Sequence, residues 1–124
     1  MCHQTVSLVA RHLEANGIPT VIIGSAKDIV ETCGVPRFLF VDFPLGNPCG
    51  KPWDIDMQRR IVRHGVSLFE GVNAPMTTVV SDEQWGDDSW KQRYMEVNDS
   101  NRAELARKGE ELRQRRANRE RREE

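Results

Sequence analysis

The sequence lacks the features that would place a chain in a membrane or send it outside the cell. It has no run of about 18 apolar residues, as a membrane span would need, and no basic-then-apolar signal peptide at its start. It has three cysteines, an odd number, and they are widely spaced. Such usage is typical of reduced thiols rather than a disulfide framework. These absences predict a cytoplasmic protein without membrane contact.

Motifs for metals, cofactors and nucleotides are also missing. The cysteines and His3, His12 and His64 show none of the paired short spacings of a zinc site. The segment GNPCGK lacks the spacing and the following Ser or Thr of a phosphate-binding loop, and no glycine-rich fingerprint follows Gly24 and Ser25. We therefore predict no cofactor and no metal, and a flavodoxin-like nucleotide binder is the weakest of the functions considered.

Charge is concentrated at the C-terminus although the whole chain has a net charge of −1. The segment 102–124 contains nine basic and six acidic residues, so it is +3 and the remainder is −4. Its glutamates alternate with its arginines, and no aromatic residue follows Tyr94. This pattern favours a solvated helix over a surface for RNA or an acidic partner.

The 124 residues suffice for one domain core, and their pattern predicts an α/β fold. Apolar spacing and Gly or Pro breaks indicate a small parallel sheet, flavodoxin- or Rossmann-like and partial, flanked by helices. The predicted helices are 2–16, 26–32 with Ser25 as its cap and Gly34 as its end, and one that Asp54 caps and that ends near Gly71. The predicted strands are 20–23, 37–41 and 75–80. We place an α/β domain at 1–100 and a charged helical tail at 101–124.

A sheet this narrow leaves exposed edges, whereas parallel sheets are normally covered. No strand precedes the first predicted helix. We therefore expect a partial domain that forms a homo-oligomer or pairs with another chain, or else a truncated reading frame.

The loop after the second strand is the most distinctive stretch. RFLFVDFPLGNPCGKPWD places three prolines, two glycines, a cysteine and a lysine after a buried strand. Lys51 offers a cation to a thiolate at Cys49 or to a substrate carboxylate, and Gly46 and Gly50 leave backbone N–H groups open to an anion. A rigid turn that packs the strand end, with Cys49 partly buried, is an equally good interpretation.

A second candidate site is Cys2-His3-Gln4-Thr5, a cysteine and a hydroxyl in C-x-x-T spacing at the start of a helix. Free N–H groups and the positive end of the helix dipole stabilise a thiolate there. Thr5, one turn on, is placed to donate a hydrogen bond to the sulfur, and His3 could supply a proton or a charge. Alternatively Cys2 is an inert residue at a chain end. Cys33 lies at the unfavourable end of a helix, where a packing role is expected.

Residues 2–54 resemble the C-terminal region of the glycine/sarcosine/betaine reductase component B family, the selenoprotein B family, to which D-proline reductase is related. Three features carry the resemblance in order: a redox residue opening a helix, the strand entry Gly17-Ile18-Pro19-Thr20-Val21, and the loop Pro44-Leu45-Gly46-Asn47-Pro48. The resemblance implies that Cys2 occupies the position of a selenocysteine or cysteine nucleophile. It also implies partner reductase subunits and a thioredoxin-like electron donor.

These observations favour a thiol-dependent oxidoreductase subunit, or a fragment of one, that reduces a small amino-acid-like substrate. Cys2 and Thr5 form the predicted catalytic pair, with Cys49 as a resolving thiol if its Cα comes within about 7 Å of that of Cys2. Gly46, Asn47 and Lys51 are the predicted substrate-binding residues. The alternative is a non-catalytic α/β interaction module whose charged C-terminal helix binds a partner.

Overall fold

The computed structural model describes residues 2–93 and 98–123 and has an α/β fold. Its elements in chain order are α1 (Cys2–Ala15), β1 (Ile22–Gly24), α2 (Lys27–Cys33), β2 (Arg37–Phe40), α3 (Ile55–Gly71), β3 (Thr77–Val80), α4 (Ser89–Arg93) and α5 (Arg102–Glu123). The predicted fold class is confirmed. The short α4 was not predicted. None of the helices in these ranges is long and apolar enough to cross a membrane.

The sheet has the strand order β1-β2-β3, and both pairs are parallel. Ile23 is level with Leu39, and Leu39 with Val79. Because side chains alternate between the faces of a strand, two separate cores form. One lies between the sheet and the helices α1 and α2 and contains Ile22 and Phe38. The other lies under α3 on the opposite face.

The two crossovers differ in hand. Helix α2 connects β1 to β2, and α3 connects β2 to β3, so both steps run in the same direction along the sheet. The two helices nevertheless pack on opposite faces. One of the connections is therefore left-handed, which is rare among parallel crossovers.

The helix ends follow most of the predicted signals. Gly34 ends α2 in the left-handed conformation with φ 70°, and its N–H bonds to the carbonyl of Glu31. The Asp54 carboxylate caps α3 by accepting the Met57 N–H at 3.0 Å. The prediction that Ser25 caps α2 is wrong, because Ala26 occupies the cap position and makes no side-chain cap bond.

Gly65 lets α3 approach β1 closely. A Cβ at this position would lie 2.7 Å from Cδ1 and 3.1 Å from Cγ1 of Ile23. Such distances are well inside normal carbon contact. The glycine inside the predicted helix is thus explained by close packing of helix on sheet.

At the amino end of the sheet, Glu14 joins three elements. Its Oε1 accepts the Thr20 N–H at 2.5 Å, the Thr20 hydroxyl at 3.1 Å and Arg37 Nη1 at 2.7 Å. Burial raises the pKa of Glu14, but the hydrogen bonds from Thr20 and the charge of Arg37 outweigh burial, so the net pKa is lowered. The carboxylate thus holds the end of α1 to the start of β1 and of β2.

The described residues divide into two compact units between Lys91 and Gln92. The second unit contains α5, whose Lys108 pairs with Glu104 at 2.6 Å and whose Arg113 pairs with Glu110 at 2.7 Å. Leu105 and Leu112 are exposed. The predicted charged helix is confirmed, and its ion pairs within one helix are of the kind that add a few tenths of a kcal/mol each. The predicted domain boundary at residue 100 stays a prediction.

Candidate functional site

The carboxyl ends of the three strands form the edge at which α/β proteins place their ligands. Backbone pairing continues past the strands there. The Val41 N–H donates to the Gly24 carbonyl at 2.9 Å, and the Ser81 N–H donates to the Phe40 carbonyl at 2.8 Å. The segments that follow β1, β2 and β3 therefore start side by side.

The start of α1 is held at this edge by His3. The Ser25 N–H donates to His3 Nε2 at 3.1 Å. A Cβ on Gly24 would lie 3.0 Å from the His3 ring, so this glycine leaves space for the imidazole. The buried Ser7 hydroxyl donates to the His3 carbonyl at 2.7 Å and fixes the same turn. Cys2, the neighbour of His3, consequently lies at the first turn of a helix that meets the end of β1.

The bond from Ser25 also decides which nitrogen of His3 carries a proton. A nitrogen that accepts a backbone N–H has no proton of its own, so the neutral ring is protonated on Nδ1. Through this hydrogen bond His3 positions the start of α1 against the end of β1.

Cys2 and Thr5 are both exposed on α1, one helical turn apart. The spacing is suitable for a hydroxyl next to a sulfur. The thiol of Cys2 is free and is accessible to a substrate or a partner.

The loop from Pro44 to Asp54 is a series of tight turns. The Asn47 N–H bonds to the Pro44 carbonyl at 3.0 Å, the Gly50 N–H to the Asn47 carbonyl at 3.1 Å, and the Asp54 N–H to the Lys51 carbonyl at 3.3 Å. The Gly50 N–H, which was predicted to be open to an anion, is therefore already used in a turn. Gly46 has φ 95° and Gly50 has φ 112°, a region that favours glycine.

The loop is packed on the start of α3. A Cβ at Gly50 would lie 3.1 Å from Cγ of Gln58, and the Gln58 amide donates to the Lys51 carbonyl at 2.6 Å. Cys49 is nevertheless exposed. The prediction that it is partly buried is wrong, because the neighbouring Gly50, and not Cys49, is buried against the helix.

Lys51 lies beside the segment that follows β3. Its Nζ is 5.7 Å from the centre of the Trp85 ring, a cation–π distance. Trp85 in turn packs edge-on against Phe43, with ring centres 5.3 Å apart. The cation predicted for the site is thus positioned by an aromatic pair, Trp85 and Phe43, that was not predicted.

Three ion pairs at this edge were also not predicted. Lys91 Nζ lies 2.6 Å from Asp42 and 3.1 Å from Asp88, and the hydrogen bonds to Asp42 and then Asp88 raise the pKa of Lys91. Arg60 forms a fork with Glu83, with bonds of 2.6 and 3.0 Å. The hydrogen bond from Arg60 lowers the pKa of Glu83. The position of Asp42 directly after a strand could have marked it as a candidate site residue. No sequence pattern identifies its partner Lys91, which lies 49 residues later.

The structure separates the surroundings of the two exposed cysteines. The contacts of the turn that begins with Cys2 are with β1, whereas the loop that carries Cys49 contacts α3 and Trp85. All three cysteines are free thiols, and Cys33 is partly buried at the end of α2. Pairing of Cys2 with Cys49 stays a prediction. The ranges 2–93 and 98–123 hold no group of three or more His, Cys, Asp or Glu side chains that could bind a metal ion.

Comparison with known proteins gives one informative relationship. Over 60 residues the chain is 37% identical to D-proline reductase subunit gamma of Acetoanaerobium sticklandii. The chain is thus similar to a reductase subunit. The aligned part covers 48% of this chain and 25% of the relative, so the chain spans about a quarter of the relative's length. No family model matches the chain, and no solved structure matches it.

Proposed function

We propose that this chain is a thiol-dependent oxidoreductase subunit, or a fragment of one, with Cys2 as its nucleophile. The observation that carries the proposal is the 37% identity to a subunit named for D-proline reduction. The structure adds an exposed Cys2 thiol at a helix start that is fixed to the carboxyl edge of a parallel sheet. A thiolate is stabilised by the free N–H groups of such a helix start.

The proposed reaction is a two-electron reduction of a small amino-acid-like substrate. The Cys2 sulfur attacks a substrate carbon, and the leaving group departs with the electron pair of the broken bond. A dithiol donor of the thioredoxin type then reduces the carbon–sulfur bond. One hydrogen goes to the carbon and one to Cys2, and the donor becomes a disulfide.

The loop residues supply substrate contacts in this proposal. Lys51 pairs with the substrate carboxylate, since its ammonium group is held over the Trp85 ring near the strand ends. Gly46 and Asn47 form one wall, and Thr5 donates to the Cys2 sulfur. Cys49 is the resolving thiol if the two sulfurs meet. The relative is a subunit by name, so partner subunits are part of the proposal, as is a cytoplasmic location in which the thiols stay reduced.

The test is the rate of alkylation by iodoacetamide at neutral pH, read at each cysteine by mass spectrometry. Cys49 is a matched control because it is also exposed but does not lie at a helix start. We expect Cys2 to react about tenfold faster than Cys49, as a stabilised thiolate would. Equal rates for the two thiols would contradict a nucleophilic role for Cys2 and leave the interaction module as the better interpretation.

The electron donor is tested with a thioredoxin variant that lacks its second, resolving cysteine. We expect its remaining thiol to attack the Cys2 sulfur of the substrate adduct, so that the carbon leaves with a proton and Cys2 stays bound to the variant as a mixed disulfide, and we expect the Cys2→Ser chain to give no such product. Trapping that is unchanged in Cys2→Ser, or that occurs at Cys33, would refute the assignment of Cys2.

A further inference from the structure

Strand β1 has an open edge. Within the described residues it pairs with β2 alone. The Gly24 carbonyl points toward the β2 side, where it accepts the Val41 N–H. Because backbone groups alternate along a strand, the N–H and C=O of Ile23 point away from β2. Such an edge is a template for a further strand.

Helix α3 carries an exposed apolar stripe next to this edge. Arg60 lies on the side of α3 that faces β3, because it pairs with Glu83 after that strand. Gly65 lies on the side that faces the sheet near β1, because it packs on Ile23. At 3.6 residues per turn, the stripe follows Gly65 when one goes around the helix from Arg60 through Gly65. Its members are Ile55, Val62, Val66 and Phe69, which are 58%, 46%, 56% and 40% exposed. The stripe therefore lies on the β1 side of α3 and extends past the strand.

Charges of opposite sign border the outer side of the stripe. Arg59 lies near its N-terminal end and Glu70 near its C-terminal end, and both are exposed. The midpoint between them is at residues 64 and 65, level with the contact of Gly65 and Ile23. In an antiparallel copy of the helix, Arg59 and Glu70 each face the opposite charge, while the exposed Arg63 between them lies near its own counterpart.

The spacing of the layers fits such a copy. Gly65 contacts both Ile23 of β1 and Leu39 of β2, so α3 lies above the gap between these strands. Strands are about 4.8 Å apart, so an axis placed beside β1 would put α3 and its symmetry copy about 10 Å apart. Packed helices have an interaxial distance of about 8–10 Å.

We propose that the partner of this surface is a second copy of the chain. Two β1 strands pair antiparallel about a twofold axis perpendicular to the sheet, and Ile23 exchanges backbone hydrogen bonds with Ile23 of the other copy. A six-stranded sheet results, with the two α3 helices antiparallel on one face. Val62 packs on Val66 of the second copy, and Arg59 pairs with Glu70 there, each contact occurring twice. This assembly is independent of any role of Cys2.

The first experiment is sedimentation velocity of the full chain and two variants. The native chain is expected at twice its 14.2 kDa mass. Val66→Asp should be monomeric, because the substitution buries a charge between the helices. Val80→Asp is the control, since Val80 is also 56% exposed but lies on β3, and it should stay dimeric. Far-UV circular dichroism checks that both variants fold.

The second experiment exchanges the charges. Arg59→Glu and Glu70→Arg are each expected to weaken the dimer several-fold, and the double variant to regain most of the native dissociation constant. A native chain that is monomeric up to ~100 µM would overturn the proposal. So would a double variant no tighter than the single ones, or dissociation caused by Val80→Asp and not by Val66→Asp.

Discussion

Replacing Gly65 by alanine tests how closely α3 packs on the sheet. Two effects of similar size oppose each other. Alanine stabilises a helix interior by about 1 kcal/mol relative to glycine. The new methyl group, however, would lie 2.7 Å from Cδ1 of Ile23, where contact begins at about 3.5 Å.

The cost of relieving this overlap decides the sign. Moving Ile23 off its rotamer costs about 0.5–1.5 kcal/mol, and overpacking of a core typically costs about 1–3 kcal/mol. Cγ1 of Ile23, at 3.1 Å, is also too close, so rotation of the terminal methyl group alone does not remove the overlap. We therefore expect Gly65→Ala to lower the free energy of unfolding by about 1 kcal/mol.

The assay is urea unfolding of a double-mutant cycle. Ile23→Val removes Cδ1, and in that background Gly65→Ala should become neutral or stabilising, which gives a coupling free energy of about 1–2 kcal/mol. Gly71→Ala is the matched control, because no atom lies within 4 Å of the added methyl and the residue ends the same helix. It should be neutral or stabilise the chain by less than about 1 kcal/mol. If Gly65→Ala is as stable as the native chain in both backgrounds, the close approach of α3 to Ile23 is refuted.

Three further predictions concern single positions. Because the pKa of Glu14 is lowered on folding, its contribution to stability is complete above the ordinary value of 4.5 and lost as the pH falls through the folded pKa. Glu14→Gln should cost about 1 kcal/mol at pH 7, since the pair with Arg37 is about a fifth exposed, and should flatten that acid dependence in urea titrations. Trp53 is 95% exposed with φ 68°, so Trp53→Gly should raise the free energy of unfolding by about 0.5–1 kcal/mol by relieving strain. His3→Ala should slow alkylation of Cys2 several-fold, whereas His3→Gln, which can still accept from the sheet end, should retain most of the rate.

Each of these has a contrary result. An unchanged acid limb in Glu14→Gln would mean that the carboxylate is not the titrating group. A less stable Trp53→Gly would show that the exposed ring makes contacts in solution. Equal alkylation rates in native and His3→Ala chains would remove the positioning role of His3.

Local sequence signals predicted the helices and strands, but they did not predict which distant residues contact one another. The αL glycine at Gly34 and the Asp54 cap were recognisable because each acts within four residues of its own position. Ser25 had the right chemistry for a cap, but the helix starts one residue later than predicted, so Ala26 occupies the cap position. The Ser25 N–H instead donates to His3, 22 residues earlier in the chain.

Only part of the candidate site could be predicted, because local signals do not identify distant contacts. The position of the loop at the carboxyl edge of the sheet follows from a parallel strand order, which alternating helices and strands indicate. The contacts of Lys51 with Trp85 and of Asp42 with Lys91 join segments far apart in sequence. The placement of α3 opposite α2 was equally unpredictable, because the usual rule for crossover hand points the other way.

The successive turns of the loop from Pro44 to Asp54 have a consequence for binding kinetics. Each turn is closed by a backbone bond that spans three residues, and the loop also packs on the start of α3, so its shape is fixed before a ligand binds. A segment built in this way has little conformational entropy left to lose when a ligand arrives. Association at Lys51 and Cys49 should then proceed in one step at a rate set by collision, without the slow phase that closure of a mobile lid would add.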